Sequence, residues 1–167
     1  MISRKTLVVD GYNVINRLPE LQSSLDGGLE NARDKLAALV SAWRSRHSGY
    51  DCVLVFDGSD RFAGAGPQRV LGVRSLFSRD AHGGDEEIIR FVREFAGRPS
   101  DITVVSDDNH VRNNSRALGA AVEPASFLAA RKPRRPRVKA EAGAGGRGLD
   151  NKAAAEIDKE LRKKFGL

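Results

Sequence analysis

The sequence predicts an α/β fold with a mostly parallel sheet covered on both faces by helices. Short β-branched apolar runs have the length of strands, and apolar residues recur at three- and four-residue steps between them. That alternation is the pattern of crossover units, whose helices bury both faces of the sheet. A further regularity concerns charge: three of the strand patterns stop at an aspartate.

The strands are expected at residues 6–9, 52–56, 70–77 and 102–105, with a fainter fifth at 120–122. After the first strand no helix start is marked, so Gly11 is expected to let the chain turn away tightly. Leu29, Ala32, Leu36, Leu39, Val40 and Trp43 trace one helical stripe, which makes Trp43 a core residue. Ile88, Ile89, Val92, Phe95 and Ala96 trace a second. Val111, Ser115 and Leu118 trace a third, ending at Gly119 as a C-terminal cap.

Beyond Phe127 the composition changes. Residues 1–130 form the folded domain, 131–149 a basic linker rich in Pro and Gly, and 150–167 a short amphipathic helix with Asp150 as N-cap and Ile157, Leu161 and Phe165 on one face. Gly143, Gly145 and Gly148 match G-x-G-x-x-G, but no strand precedes them, so the match carries no dinucleotide reading.

The 167 residues, 40% hydrophobic and 30% charged, suffice for one domain with a sizeable core. No run approaches the roughly 20 apolar residues of a membrane span, and the first residues lack the apolar segment of a signal peptide. The lone Cys52 lies in an apolar run as a buried thiol, and a cytoplasmic setting is expected. Of the 28 basic residues, Arg131, Lys132, Arg134, Arg135, Arg137 and Lys139 fall within RKPRRPRVK; the remaining 22 balance the 22 acids. The net charge of +6 is therefore one arm, suited to the phosphates of a polyanion or simply to solvation.

The acids carry the chemistry. Asp10, Asp57 and the pair Asp107 and Asp108 end three strands, whose carboxyl ends share one edge of an open parallel sheet, where ligands bind. Asp85 precedes Ile88 and Ile89 by three and four residues, so it shares their inward stripe; Glu86 reaches at most the rim. Singly, Asp85 and Asp107 read as helix caps and Asp57 as a turn residue. Together, gathered carboxylates repel unless a cation neutralises them, and hard oxygen donors suit Mg²⁺ or Mn²⁺. Asn13 can hold a carboxylate, a metal-bound water or a phosphate, or form an Asx turn. Ser106 either orients Asp107 or caps the next helix.

VVDGYNVIN, VFDG, GGDEEI and VVSDD, in this order, resemble the NYN domain of the PIN-like nucleases, in its YacP-like branch, over residues 5–128. The resemblance implies a three-layer α/β/α fold and metal-dependent endoribonuclease activity. It maps the catalytic set onto Asp10, Asn13, Asp57, Asp85 and Asp107, with Asp10, Asp57, Asp85 and either Asp107 or Asp108 as metal ligands. One or two ions would activate a water for phosphodiester hydrolysis. Arg112, Arg116 and the basic arm are candidate contacts to single-stranded RNA, as are Arg61 and Arg69 beside a loop. His82 and His110 read as exposed loop residues.

Two other readings stay open on the residues alone. A Mg²⁺-dependent phosphatase or phosphotransferase also places Asp after its first strand, although the haloacid-dehalogenase type expects a second Asp where Tyr12 stands. A non-catalytic RNA-binding or ribosome-associated module would use the arm and leave the acids structural.

Overall fold

The structure, a computed structural model, describes residues 4–58, 68–79, 83–95 and 97–129. Strand β1 (Lys5–Asp10) runs straight into helix α1 (Gly11–Arg17), followed by α2 (Pro19–Gln22), a 3₁₀ turn (Ser23–Gly27) and the long α3 (Leu29–Arg46). Strand β2 (Tyr50–Phe56) precedes the pair β3 (Gln68–Val70) and β4 (Val73–Phe77). Helix α4 (Gly84–Arg93), β5 (Ile102–Val105), α5 (Asn109–Ala117) and β6 (Ala121–Glu123) complete the alternation.

The sheet order is β3-β4-β2-β1-β5-β6, and every neighbouring pair is parallel except β3 with β4. Alternate residues of β1 explain the two cores. Leu7 and Val9 enter one, with Val14 and Ile15 of α1 and Leu36, Val40 and Trp43 of α3. Val8 enters the other, with Ile88 and Val92 of α4 and Val111 of α5. The result is the expected three-layer α/β/α arrangement. From β1 the chain builds outward through β2 and β4, then returns to place β5 on the other side of β1. The switch in direction leaves a crevice beyond the carboxyl ends of β1 and β5.

Three local expectations change. Helix α1 begins at Gly11 with no intervening turn. Gly11 is needed there for closeness rather than for backbone freedom: a Cβ would stand 2.2 Å from the Phe56 ring and 2.9 Å from the Val55 carbonyl oxygen. The run at 70–77 is not one strand but a hairpin, because Leu71 and Gly72 both take positive φ, 51° and 78°. Such a pair matches the twist of a two-residue hairpin turn. The Ser41 hydroxyl donates to the Leu71 carbonyl at 3.1 Å and Arg44 donates to that of Gly72 at 2.8 Å, which ties the turn to α3. Finally, β6 is shifted by one residue from the expected 120–122.

Gly119 takes φ 92° just past α5, as a C-terminal cap should. Ala96, Arg61, His82, the basic arm, the G-x-G-x-x-G match and the final helix lie outside the described residues. Among the described residues no helix is long and apolar enough to cross a membrane.

Candidate active site

The crevice is built from strand ends. Asp10 closes β1 and occupies the N-cap position of α1, yet its side chain makes no capping bond. Instead its Oδ2 accepts the Ser106 hydroxyl at 2.8 Å, across the gap to the end of β5. Burial is the main force on this carboxyl and raises its pKa from 3.8 to about 6. The charges of Asp85 and Asp57 raise it too, while the Ser106 hydroxyl and the Asn13 backbone N–H oppose them.

Asp57 follows β2 and reaches the start of α4, where its Oδ1 accepts the Gly84 backbone N–H at 2.5 Å. A Cβ on Gly84 would lie 2.3 Å from that same oxygen. The glycine is thus what allows the carboxylate to sit on the helix end. Gly84→Ala is expected to displace Asp57, and any turnover that needs this carboxylate should fall by about tenfold or more, at the scale of a misplaced reacting group. Thermal unfolding should move little, because a flexible carboxylate yields before the backbone does. Wild-type kcat/KM in the purified variant would contradict this.

Asp85 stands in the first turn of α4, half-buried. Its pKa is raised, first by burial and then by Asp108 and Asp57, with His110 acting in the opposite sense. Asp108 caps α5: its Oδ1 accepts the backbone N–H of His110 at 2.8 Å and of Val111 at 3.1 Å. Asp10, Asp57, Asp85 and Asp108 therefore act on one another, directly or through a shared neighbour.

Asp107 points elsewhere. Its Oδ2 accepts the Ala125 backbone N–H at 3.0 Å, and its Oδ1 lies 4.0 Å from the Arg112 guanidinium. Its own backbone N–H donates to Asn13 Oδ1 at 2.9 Å, so that oxygen of Asn13 clamps the β5 terminus. The cap expected of Asp107 is made by Asp108. Ser106 has neither of its expected roles; fully buried, it donates to Asp10 and accepts the Asp108 N–H at 3.0 Å.

The remaining candidates divide. Arg112 is occupied at the floor of the site, reaching the Ser106 carbonyl oxygen at 3.3 Å. Arg116 is exposed in the last turn of α5, about 12 Å along the axis from Asp108 at 1.5 Å per residue. It therefore leaves the acidic edge. His110, read as an idle loop residue, belongs to α5 and contacts Glu86 at 3.2 Å, which bridges α5 to α4. Sequence reasoning missed the seat that Gly84 provides for Asp57. The doubled glycine before Asp85 was its only signal.

The sequence pattern of the YacP-like NYN domain matches residues 7–166. The chain belongs to this family. YacP-like NYN domains are PIN-like nucleases, which implies ribonuclease activity. The match runs well past residue 128, so the basic arm and final segment fall inside the family's span rather than outside it. Among solved structures, a single-residue mutant of Rae1 (YacP) from Bacillus subtilis is similar at TM-score 0.61 and 25% identity, over 74% of this chain and 72% of that one. A second Rae1 (YacP) structure from Bacillus subtilis has TM-score 0.55 and 20% identity, over 96% and 82%, and speaks for the fold alone. No curated protein matches the sequence.

Proposed function

We propose that this YacP-like NYN chain is a metal-dependent endoribonuclease that hydrolyses phosphodiester bonds in single-stranded RNA. One observation carries the metal: the carboxyl of Asp10, raised to about 6 first by partial burial, also carries the repulsion of Asp85 and Asp57. A divalent cation relieves that repulsion, and the all-oxygen donor set fits Mg²⁺ or Mn²⁺. Asp10, Asp57, Asp85 and Asp108 would hold it. Among the described residues no three acids or histidines form a ready-made cage. When bound, the ion supplies an activated water and offsets charge on the scissile phosphate.

The chain's own residues set the geometry. Ser106 orients Asp10, Gly84 seats Asp57, and Asn13 clamps the backbone at Asp107. Asp107 supports the site by anchoring Ala125, leaving Asp108 as the facing carboxylate of the pair. Lys and Arg of the arm at 131–139 would add phosphate contacts.

The test uses an internally labelled RNA with both ends blocked, incubated with Mn²⁺ or with EDTA. Cleavage is expected only with the ion. Asp108→Asn should lose about a hundredfold in rate. Asp107→Asn should lose much less, because Asn can still accept the Ala125 N–H. Cleavage persisting in EDTA would remove the metal, and the reverse ranking of the two variants would return the site to Asp107.

A further inference from the structure

We propose that Arg69 and Arg74, side by side on the β3–β4 edge, bind phosphates of the RNA strand as it runs toward the acidic crevice. This inference rests on the ribonuclease reading above. Arg69 and Arg74 are direct partners in the antiparallel ladder. Residues so paired point to the same face with Cβ atoms about 5 Å apart, and like charges in that position repel. Neither side chain has an ion pair or hydrogen bond among the described residues, so no acid there offsets the repulsion.

The pair is aimed. The Arg74 guanidinium lies 5.7 Å from the centre of the Phe91 ring, which holds it on the α4 side of the sheet. Arg69 is exposed beside it, on the outermost strand. Strand β4 runs parallel to β2, and Phe77 pairs with Phe56, the residue before Asp57. Arg74 is therefore about 10 Å from the acidic edge, at roughly 3.3 Å per residue. Arg79, exposed just beyond β4, extends the positive charge toward that edge. A polyanion matches a row of cations where a single small anion would not. Guanidinium groups in particular grip phosphate oxygens through paired N–H donors.

Charges on an outer strand also discourage edge-to-edge pairing, and the experiment separates the two roles. Full-length protein carrying Arg69→Gln and Arg74→Gln is titrated into a labelled single-stranded RNA in EDTA, over a series of salt concentrations. Affinity should fall about tenfold, and the slope of log K against log salt should become shallower by about 0.7 for each phosphate left without its arginine. The thermal midpoint should stay level or rise, since the repulsion is gone. Arg69→Lys with Arg74→Lys should restore the slope. Unchanged affinity and slope in the Gln protein would overturn the inference and leave the pair as edge protection. Failure of the ribonuclease reading is distinguishable, because it would appear as no metal-dependent RNA cleavage by the wild-type protein, whatever the arginines do.

Discussion

Asp10→Asn is expected to abolish RNA cleavage and, in the same protein, to raise stability in EDTA above pH 6. The two effects share a cause. The buried carboxyl has a pKa near 6 in the folded chain against 3.8 as its ordinary value. The folded state therefore holds the proton more tightly than the unfolded state does. At pH values below about 4 both states are protonated and the group costs nothing. As pH rises from 4 to 6 the unfolded chain ionises first and stability falls; above 6 the full cost is present. At 1.36 kcal/mol per pKa unit that cost is about 3 kcal/mol. Asn removes the charge yet still accepts the Ser106 hydroxyl, so the variant should escape the penalty. Added Mn²⁺ should stabilise the wild type more than the variant. Parallel melting curves at pH 4 and pH 8 are the measurement. A variant no more stable than wild type at pH 8 would show that the ionised Asp10 carries no such burial cost, and normal cleavage would remove it from the site.

Gly11→Ala is expected to cost about 3 kcal/mol of stability, the upper range for forcing extra atoms into a packed interior. The added methyl meets the Phe56 ring on one side and backbone on another. Phe56 is itself confined, 2% exposed and packed on Tyr12 and Phe77. Relief would require α1 to lift from the sheet, which also moves Asn13 and Asp10. Urea unfolding should show a lower midpoint at unchanged slope. A midpoint equal to wild type would mean that α1 slides at little cost.

Much of this architecture is written locally. The runs 6–9, 52–56 and 102–105 are β-branched, buried and bounded by polar residues, and each became a strand near its expected limits. The placement of Asp10 and Asp57 followed, because a carboxylate at the end of such a run must lie at the sheet edge. Helix α1 was hidden for the opposite reason. Gly11, Tyr12 and Asn13 are poor helix formers, and the helix exists because Val14 and Ile15 are buried against β1 and α3. The hairpin at Leu71–Gly72 was hidden because leucine gives no turn signal; side chains from α3 hold it.

The choice between Asp107 and Asp108 shows where pattern ends. They are neighbours of identical chemistry, and the chain around them, VVSDDNH, supports either as a cap or a ligand. Packing separated them, by presenting the Ala125 N–H to one and the start of α5 to the other. Arg69 and Arg74 are likewise unremarkable in order and became a pair only through hairpin register. Composition and periodicity settled the α/β class, the positions of β1, β2 and β5 and the sheet edge that bears the acids, since these depend on spacing along the chain. Which backbone groups Asp107 and Asp108 hold, why Gly11 and Gly84 must be glycine, and how the arginines align were decided in three dimensions. Those depend on the direction of side chains and on distances between elements, which burial and hydrogen bonding set only once the layers close.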